Sequence, residues 1–186
     1  MNVAEQINES IETKKKLLEL SKEIEESGKV IVDALKNGNK IMICGNGGSA
    51  ADSQHFAAEL AGRFEKERKA LPGISLTTDT SNLTAVGNDY GFDNVFARQV
   101  EALGKAGDVL VAISTSGNSI NVLRAVEKAL SLGIKVIGLT GRDGGVMKNL
   151  QTKVIVPAQK TSRIQECHIL IIHIWCGMVD EICDSL

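Results

Sequence analysis

Two side chains able to move protons stand four residues apart in a stretch with helical composition. They are His55 and Glu59, in the segment ADSQHFAAELAGRF. Residues i and i+4 share one face of a helix. Such a pair can place a carboxylate base beside an imidazole, or supply two ligands to a metal ion. The same spacing is typical of a polar stripe on an exposed helix. Arg63 follows one turn later on this face, where it could pair with an anion.

Two glycine- and hydroxyl-rich segments have the composition of anion-binding loops. They are GNGGS, residues 45–49, and STSGNS, residues 114–119, and each lies between an apolar run and a helical stretch. Free backbone N–H groups and the helix dipole favour a phosphate at such a position. Neither segment is a Walker loop or a dinucleotide-binding fingerprint. Helix capping by Ser116 or Ser119 would explain one hydroxyl of the second segment, but it contains three serines and a threonine.

Two more polar side chains lie in the most apolar part of the chain. His173 stands within ILIIHIW, where a neutral core histidine is the usual explanation, and Gln165 precedes it by eight residues. On one helix the two project within about 80° of each other but are separated by roughly 12 Å of rise, so one metal ion would reach both only with strain. A helix beginning after Gln165, or a second subunit, would relieve that strain. Arg163, Glu166 and His168 are equally consistent with surface or interface positions.

Alternating strands and helices must position these side chains. Apolar residues recur at helical spacing over residues 2–37, which predicts one bent helix or two helices there. Apolar runs predict strands at 40–44, 108–113, 134–139 and 153–156. Helices are predicted after the first two strands, ending near residues 64 and 132, and a further helix is predicted over 162–183. This order predicts a parallel α/β sheet covered on both faces, with ligands at the carboxyl ends of its strands.

We predict a single domain over residues 1–186. It comprises an N-terminal helical segment over 1–37, an α/β core over 38–160 and a C-terminal helix over 161–186. The terminal helices have more apolar surface than one small sheet can cover. This surplus predicts burial against another subunit.

Composition narrows the classes of function. The 186 residues include 21 Lys and Arg against 23 Asp and Glu, and only 3% are aromatic, so we expect no nucleic-acid partner. The charged N-terminus lacks the apolar core of a signal peptide, and the longest apolar run is too short for a membrane span. The cysteines have no CxxC spacing and are expected to be reduced, buried thiols in a cytoplasmic protein without membrane contact. They are Cys44, Cys167, Cys176 and Cys183.

Five segments, in order along the chain, resemble the phosphoheptose isomerases of the sugar isomerase (SIS) fold. They are CGNGGSAADSQHFAAELAGRF (44–64), VGNDYGFDNVFARQ (86–99), AISTSGNSINV (112–122), GLTGRDGG (138–145) and TSRIQECHILIIH (161–173). The resemblance implies a three-layer α/β/α sandwich with a five-stranded parallel sheet. It also implies a homotetramer with active sites at subunit interfaces, in which the N- and C-terminal helices take part in assembly.

The same resemblance implies an activity. The expected reaction interconverts sedoheptulose 7-phosphate and D-glycero-D-manno-heptose 7-phosphate through an enediolate. This is the first step toward nucleotide-activated heptose for bacterial surface polysaccharide, such as lipopolysaccharide or capsule.

Residue roles also follow from the resemblance. Glu59 is implied as the general base and His173 as its acid/base partner, while Asp89 is a candidate for assisting ring opening. The implied substrate contacts, with the phosphate on the four hydroxyl residues of 114–119, are Asn46, Gly47, Gly48, Ser49, Glu59, Asn88, Asp89, Ser114, Thr115, Ser116, Ser119 and Gln165. One zinc ion per subunit is implied, with the ligands His55, Glu59, Gln165 and His173.

Two other functions stay open at this point. A non-catalytic SIS-domain regulator could bind a phosphosugar or a protein partner such as a replication initiator. Such a protein would not need the full set of His55, Glu59, Gln165 and His173. An isomerase of a pentose or hexose phosphate could share the general loops, but the segments HFAAELAGRF and RIQECH favour the heptose branch.

Overall fold

The computed structural model describes residues 2–182, which form five strands and seven α-helices in alternating α/β order. The strands are β1 (Ile41–Cys44), β2 (Gly73–Ser75), β3 (Val109–Ser114), β4 (Lys135–Gly141) and β5 (Thr152–Val156). The helices are α1 (Val3–Lys15), α2 (Ser21–Lys36), α3 (Gly48–Ala61), α4 (Thr80–Tyr90), α5 (Val95–Leu103), α6 (Ile120–Ser131) and α7 (Thr161–Glu181). A 3-10 segment joins α1 to α2, so the N-terminal region is two helices.

The five strands make one parallel sheet in the order β2-β1-β3-β4-β5. Because all strands are parallel, their carboxyl ends lie along one edge of the sheet. Strands β1 and β3 are neighbours, with Cys44 paired to Ala112. The loops that follow these two strands therefore lie side by side, and they are the two glycine- and hydroxyl-rich segments.

Two apolar clusters cover the two faces of this sheet. Along β1, Ile41 and Ile43 face a cluster with α2, α3 and α7, whereas Met42 and Cys44 face a cluster with α5 and α6. The alternation follows from the two-residue period of side chains on a strand. The three-layer α/β/α sandwich is thus confirmed. No described helix is long and apolar enough to span a membrane.

Several details differ from the sequence-based expectations. Strand β2 was not predicted from its pattern, and only the family resemblance required a fifth strand. Helix α3 ends at Ala61 rather than near Phe64, because Gly62 leaves helical geometry (φ −85°, ψ −109°). Helix α7 begins at Thr161, so the suggestion that it starts after Gln165 is wrong. The division at residues 37/38 and 160/161 stays a prediction.

The histidine buried in the core of α7 is His168, not His173. His168 is fully buried, and its Nε2 lies 3.1 Å from the carbonyl oxygen of Thr140 at the end of β4. A surface or interface position for His168 is therefore wrong. Burial lowers the pKa of His168 to about 4, against a weaker opposing effect of the Thr140 hydrogen bond, so the imidazole is neutral.

The described cysteines are free and buried, as expected: Cys44, Cys167 and Cys176. Burial raises the pKa of the Cys44 thiol to about 12 and is the main cause of the same shift at Cys176. Both therefore stay protonated near neutral pH. The prediction for Cys183 lies outside the described residues.

Candidate active site

Helices α3 and α7 bring three of the predicted site residues together. The Nε2 atom of His55 lies 2.9 Å from Oε1 of Glu59, as the i, i+4 spacing predicts. The ring of His173 meets the ring of His55 edge-on, with centroids 5.2 Å apart, and the ring of Phe64 also packs against His173, with centroids 5.4 Å apart. The side chains of His55 and Glu59 are 44% and 21% exposed, so solutes can reach this group. We call it the His–Glu–His cluster.

Gln165 lies beside the first turn of α3, away from this cluster. A Cβ atom at Gly48 would overlap the side-chain amide of Gln165, so the absence of a side chain at Gly48 is what admits that amide. Since Gln165 meets the start of α3 and His173 meets His55 further along, α3 and α7 run in the same direction. Gly48 and Glu59 are separated by about 16 Å along the axis of α3.

The predicted zinc ligands have the chemical types that zinc binds in proteins. Imidazole nitrogens and a carboxylate oxygen are ligands that Zn²⁺ accepts, and His55, Glu59 and His173 provide them in one cluster. Within residues 2–182, however, no group of three or more His, Cys, Asp and Glu side chains is arranged to hold a metal ion.

The loop after β1 is joined to the start of α6 by a pair of amides. Asn46 and Asn121 exchange two hydrogen bonds of 2.8 Å. Gly47 precedes α3 with a positive φ of 57°, and both Gly47 and Gly48 are exposed. Ser49 is 3% exposed and lies within the helix. The part of this loop open to a ligand is therefore mostly the backbone at Gly47 and Gly48.

Residues 114–119, the hydroxyl loop, lead from β3 into α6. Ser119 occupies the N-cap position of α6 but makes no side-chain capping bond. Its Oγ lies instead 2.9 Å from Oγ of Ser114. Capping therefore does not explain this serine, and its hydroxyl lies beside the free N–H groups of the helix start, where an anion is favoured.

The backbone of the hydroxyl loop is held by the loop after β4. Gly117 has φ +67°, and a Cβ there would overlap the carbonyl of Gly144. The N–H of Val146 donates to Oδ1 of Asn118 at 3.0 Å, and the N–H of Asn118 donates to Oγ of Ser116 at 3.2 Å. Thr115 and Ser116 are half-buried at the surface of this fixed loop.

Asn88 and Asp89 are placed apart from these groups, in the last turn of α4. Both are exposed, and Nδ2 of Asn88 donates to Oδ1 of Asp89 at 2.7 Å. Within the described chain, neither side chain hydrogen-bonds to a predicted site residue outside this pair.

Two residues near the site were not predicted from the sequence. Asn121 was overlooked, although a polar residue between Ile120 and Val122 in the first turn of a helix is a usable signal. Asp52 precedes His55 by one turn, and its Oδ2 is buried with no hydrogen-bond partner in the described residues. Burial raises the pKa of Asp52 to about 6, and the nearby His55 opposes that shift. The Asp-x-x-His spacing would have indicated that Asp52 shares a face with His55.

Comparisons with known proteins identify the family of this chain. The SIS domain family model matches residues 4–141, which defines the class of the fold. A phosphoheptose isomerase of Aliarcobacter butzleri is 60% identical over 172 residues, 91% of each chain. The solved phosphoheptose isomerase of Neisseria gonorrhoeae is 52% identical, with a TM-score of 0.90 over 96% of this chain and 97% of that one. The Francisella tularensis enzyme has a TM-score of 0.91 and 43% identity over 97% and 100%. The chain belongs to the phosphoheptose isomerase family.

Proposed function

We propose that this chain interconverts sedoheptulose 7-phosphate and D-glycero-D-manno-heptose 7-phosphate. The observation that carries the proposal is the His–Glu–His cluster, in which Glu59 is hydrogen-bonded to His55 and His173 packs alongside. Moving a carbonyl between C1 and C2 requires a base beside the carbon that loses its proton. A regulator that only binds a phosphosugar would need no such group, so the cluster favours the enzyme.

In the proposed mechanism, Glu59 removes a proton from C1 of the open-chain ketose. The electron pair left behind forms the C1–C2 double bond of an enediolate, and the same proton returns to C2 to give the aldose. His173 moves the hydroxyl proton between the two oxygens, which requires it to donate and accept in turn. The neighbouring His55 orients the Glu59 carboxylate through their hydrogen bond.

The hydroxyl loop is proposed to hold the phosphate through Ser114, Thr115, Ser116 and Ser119. Its fixed backbone and the start of α6 support this assignment. Asn46, Gly47, Gly48, Ser49 and Gln165 are proposed to contact the sugar between the two ends. The phosphate and the reacting carbons of this substrate lie at opposite ends of its seven-carbon chain. Binding energy at the remote phosphate can then lower the barrier at C1 and C2.

We further propose that the protein is a homotetramer in the cytoplasm with sites at subunit interfaces. Five large apolar side chains on α1, the segment after it and α7 support association, because they are 40% to 76% exposed. They are Val3, Ile7, Ile11, Leu18 and Ile174. In such an assembly the exposed Asn88 and Asp89 would contact the substrate, with Asp89 assisting ring opening. The product would supply heptose for surface polysaccharide.

Zinc is also proposed, at one ion per subunit on His55, Glu59, Gln165 and His173. Because Gln165 lies away from the cluster of its own chain, the Gln165 ligand would have to come from a second subunit. A bound zinc ion would polarise the substrate carbonyl as a Lewis acid. The donor types and the closeness of His55, Glu59 and His173 support it.

The test is a coupled assay on sedoheptulose 7-phosphate, before chelation, after chelation and after zinc is added back. We expect product in the first and third conditions. If product still forms after chelation, the isomerase activity is supported and the metal is not required for it. Absence of product in every condition, from folded protein, would contradict the proposed activity.

A further inference from the structure

A buried ion pair lies next to the end of α3 and is not part of the His–Glu–His cluster. The Nε atom of Arg68 donates to Oδ1 of Asp180 at 3.0 Å, and the two side chains are 3% and 4% exposed. The other oxygen, Oδ2 of Asp180, accepts the backbone N–H groups of Glu65 and Lys66, each at 2.9 Å. Both oxygens of the buried Asp180 carboxylate therefore accept hydrogen bonds, as buried polar groups generally require.

Arg68 also bonds the end of the helix that carries Glu59. Its Nη2 donates to the carbonyl oxygen of Glu59 at 2.6 Å, and its Nη1 donates to the carbonyl oxygen of Leu60 at 2.9 Å. The last four carbonyls of a helix have no partner within it, and a cation there also complements the helix dipole. The planar guanidinium can serve Asp180 and these carbonyls at once because its donors point in different directions.

Asp180 lies on the helix that carries His173. The two are seven residues apart on α7, which places them on one face about 10 Å apart along the axis. One side-chain pair therefore ties the backbone of Glu59 to the helix of His173. Burial acts to raise the pKa of Asp180, but the N–H groups of Lys66 and Glu65 together with Arg68 lower it overall, so the carboxylate is charged at neutral pH.

We infer that Arg68 and Asp180 are positioning residues that set the distance between the Glu59 carboxylate and the His173 imidazole. This inference rests on the proposed roles of Glu59 and His173. Neither Arg68 nor Asp180 touches the reacting atoms. Their effect is on geometry: without the pair, the last turn of α3 is free to shift relative to α7, and a shift of about 1 Å can lower turnover about a hundredfold.

The chain contains a matched control whose hydrogen bonds reach neither α3 nor α7. Asp108, which is fully buried, accepts the backbone N–H groups of Lys40 and Lys105 and pairs with the ammonium of Lys40. The Asp108 carboxylate thus has the same kinds of partner as that of Asp180: two backbone N–H donors and one cationic side chain. Lys40 and Asp108 precede β1 and β3, so they lie at the end of the strands away from the hydroxyl loop.

The experiment compares Asp180→Asn with Asp108→Asn in the full-length protein. Each change keeps the side-chain size and removes the charge. Steady-state kinetics on sedoheptulose 7-phosphate are measured together with thermal midpoints, at a temperature well below both midpoints. We expect both variants to lose thermal stability. Only Asp180→Asn should lose kcat, by about tenfold to a hundredfold, with KM within about threefold because the hydroxyl loop is unchanged.

Equal kcat losses in the two variants, or a wild-type kcat in Asp180→Asn, would overturn the inference. If Asp180→Asn does not fold, Arg68→Lys decides by the same kcat criterion, because lysine keeps the charge but cannot bond Asp180 and both carbonyls together. A Glu59→Gln variant is assayed in parallel. Its full activity would refute the proposed base, whereas an inactive Glu59→Gln beside a fully active Asp180→Asn would refute the positioning role alone.

Discussion

The hydroxyl loop and the His–Glu–His cluster are constructed in different ways. In the loop, a hydrogen bond joins the near neighbours Ser114 and Ser119, and the loop after the adjacent strand β4 fixes the backbone through Val146. In the cluster, His55 and Glu59 come from α3, and His173 comes from a helix at the far end of the chain. The loop therefore depends on backbone geometry at the carboxyl ends of two neighbouring strands, and the cluster depends on how two helices pack. Substrate binding and turnover should respond separately to substitutions in the two regions.

The largest expected effect is on the cluster. Glu59→Gln keeps the size of the side chain and removes its basicity, so we expect kcat to fall by about a thousandfold or more with little change in KM. Steady-state assays on sedoheptulose 7-phosphate measure both parameters. Inhibition by inorganic phosphate serves as the control and should be unchanged. A parallel rise in KM would show that the two regions are not separable.

The next effect concerns His168, which ties α7 to β4 beside the hydroxyl loop. Its pKa is lowered to about 4 by burial, against about 6.5 in the unfolded chain. At pH values between these two pKa values, His168 therefore binds a proton in the unfolded state but not in the folded state. Stability should fall by up to about 3 kcal/mol as the pH drops from 6.5 to 4. Urea unfolding at several pH values measures how the free energy of unfolding changes with pH. In His168→Gln this slope should correspond to one fewer proton taken up on unfolding. Equal slopes would exclude His168 as the source.

A third prediction tests the backbone of the hydroxyl loop. Gly117→Ala must displace the loop, because the new Cβ would overlap the carbonyl of Gly144, so we expect KM to rise about tenfold. Gly38→Ala is the matched control: Gly38 has φ +71° with no atom within 4 Å of the added Cβ. It should cost about 1 kcal/mol of stability with unchanged kinetics. Unchanged KM in Gly117→Ala would contradict phosphate binding at this loop.

The smallest effect is expected at one hydroxyl. Ser119→Ala should raise KM about fivefold, since it removes a donor to the phosphate. It should cost about 1 kcal/mol of stability or less, because it loses no capping bond but does lose the hydrogen bond to Ser114. Asp79 provides the contrast, since its Oδ1 accepts the N–H of Asn82 at the start of α4. Asp79→Ala should cost about 1 kcal/mol without affecting KM. Kinetics and thermal unfolding of both variants test the difference, and an unchanged KM in Ser119→Ala would contradict a phosphate contact from this hydroxyl.

The sequence predicted the features that depend on short-range pattern. Strands β1 and β3 coincide with apolar runs, and the i, i+4 spacing of His55 and Glu59 was enough to place them on one face. Strand β2 was missed because its three residues, Gly73–Ser75, acquire their conformation only by pairing with β1. Such a short segment has no period to detect.

The features that were missed depend on contacts between distant segments. Arg68 and Asp180 lie in a loop and in α7, and nothing in either segment identifies the other. The sequence pattern also did not show which of His168 and His173 is buried. Helix α7 has apolar residues on most of its surface, so periodicity does not show which histidine faces the sheet. Packing against Thr140 decides it.

The short edge strand β2 has a consequence for how molecules of this protein meet. An edge strand exposes unpaired N–H and C=O groups on which a strand of another molecule can assemble, and short edges are one way natural proteins limit this. Three residues offer few such groups. The exposed apolar side chains instead lie on helical segments such as α1 and α7. At the β2 edge, contacts between molecules are therefore directed toward helix packing, which is saturable, and away from open-ended growth of the sheet.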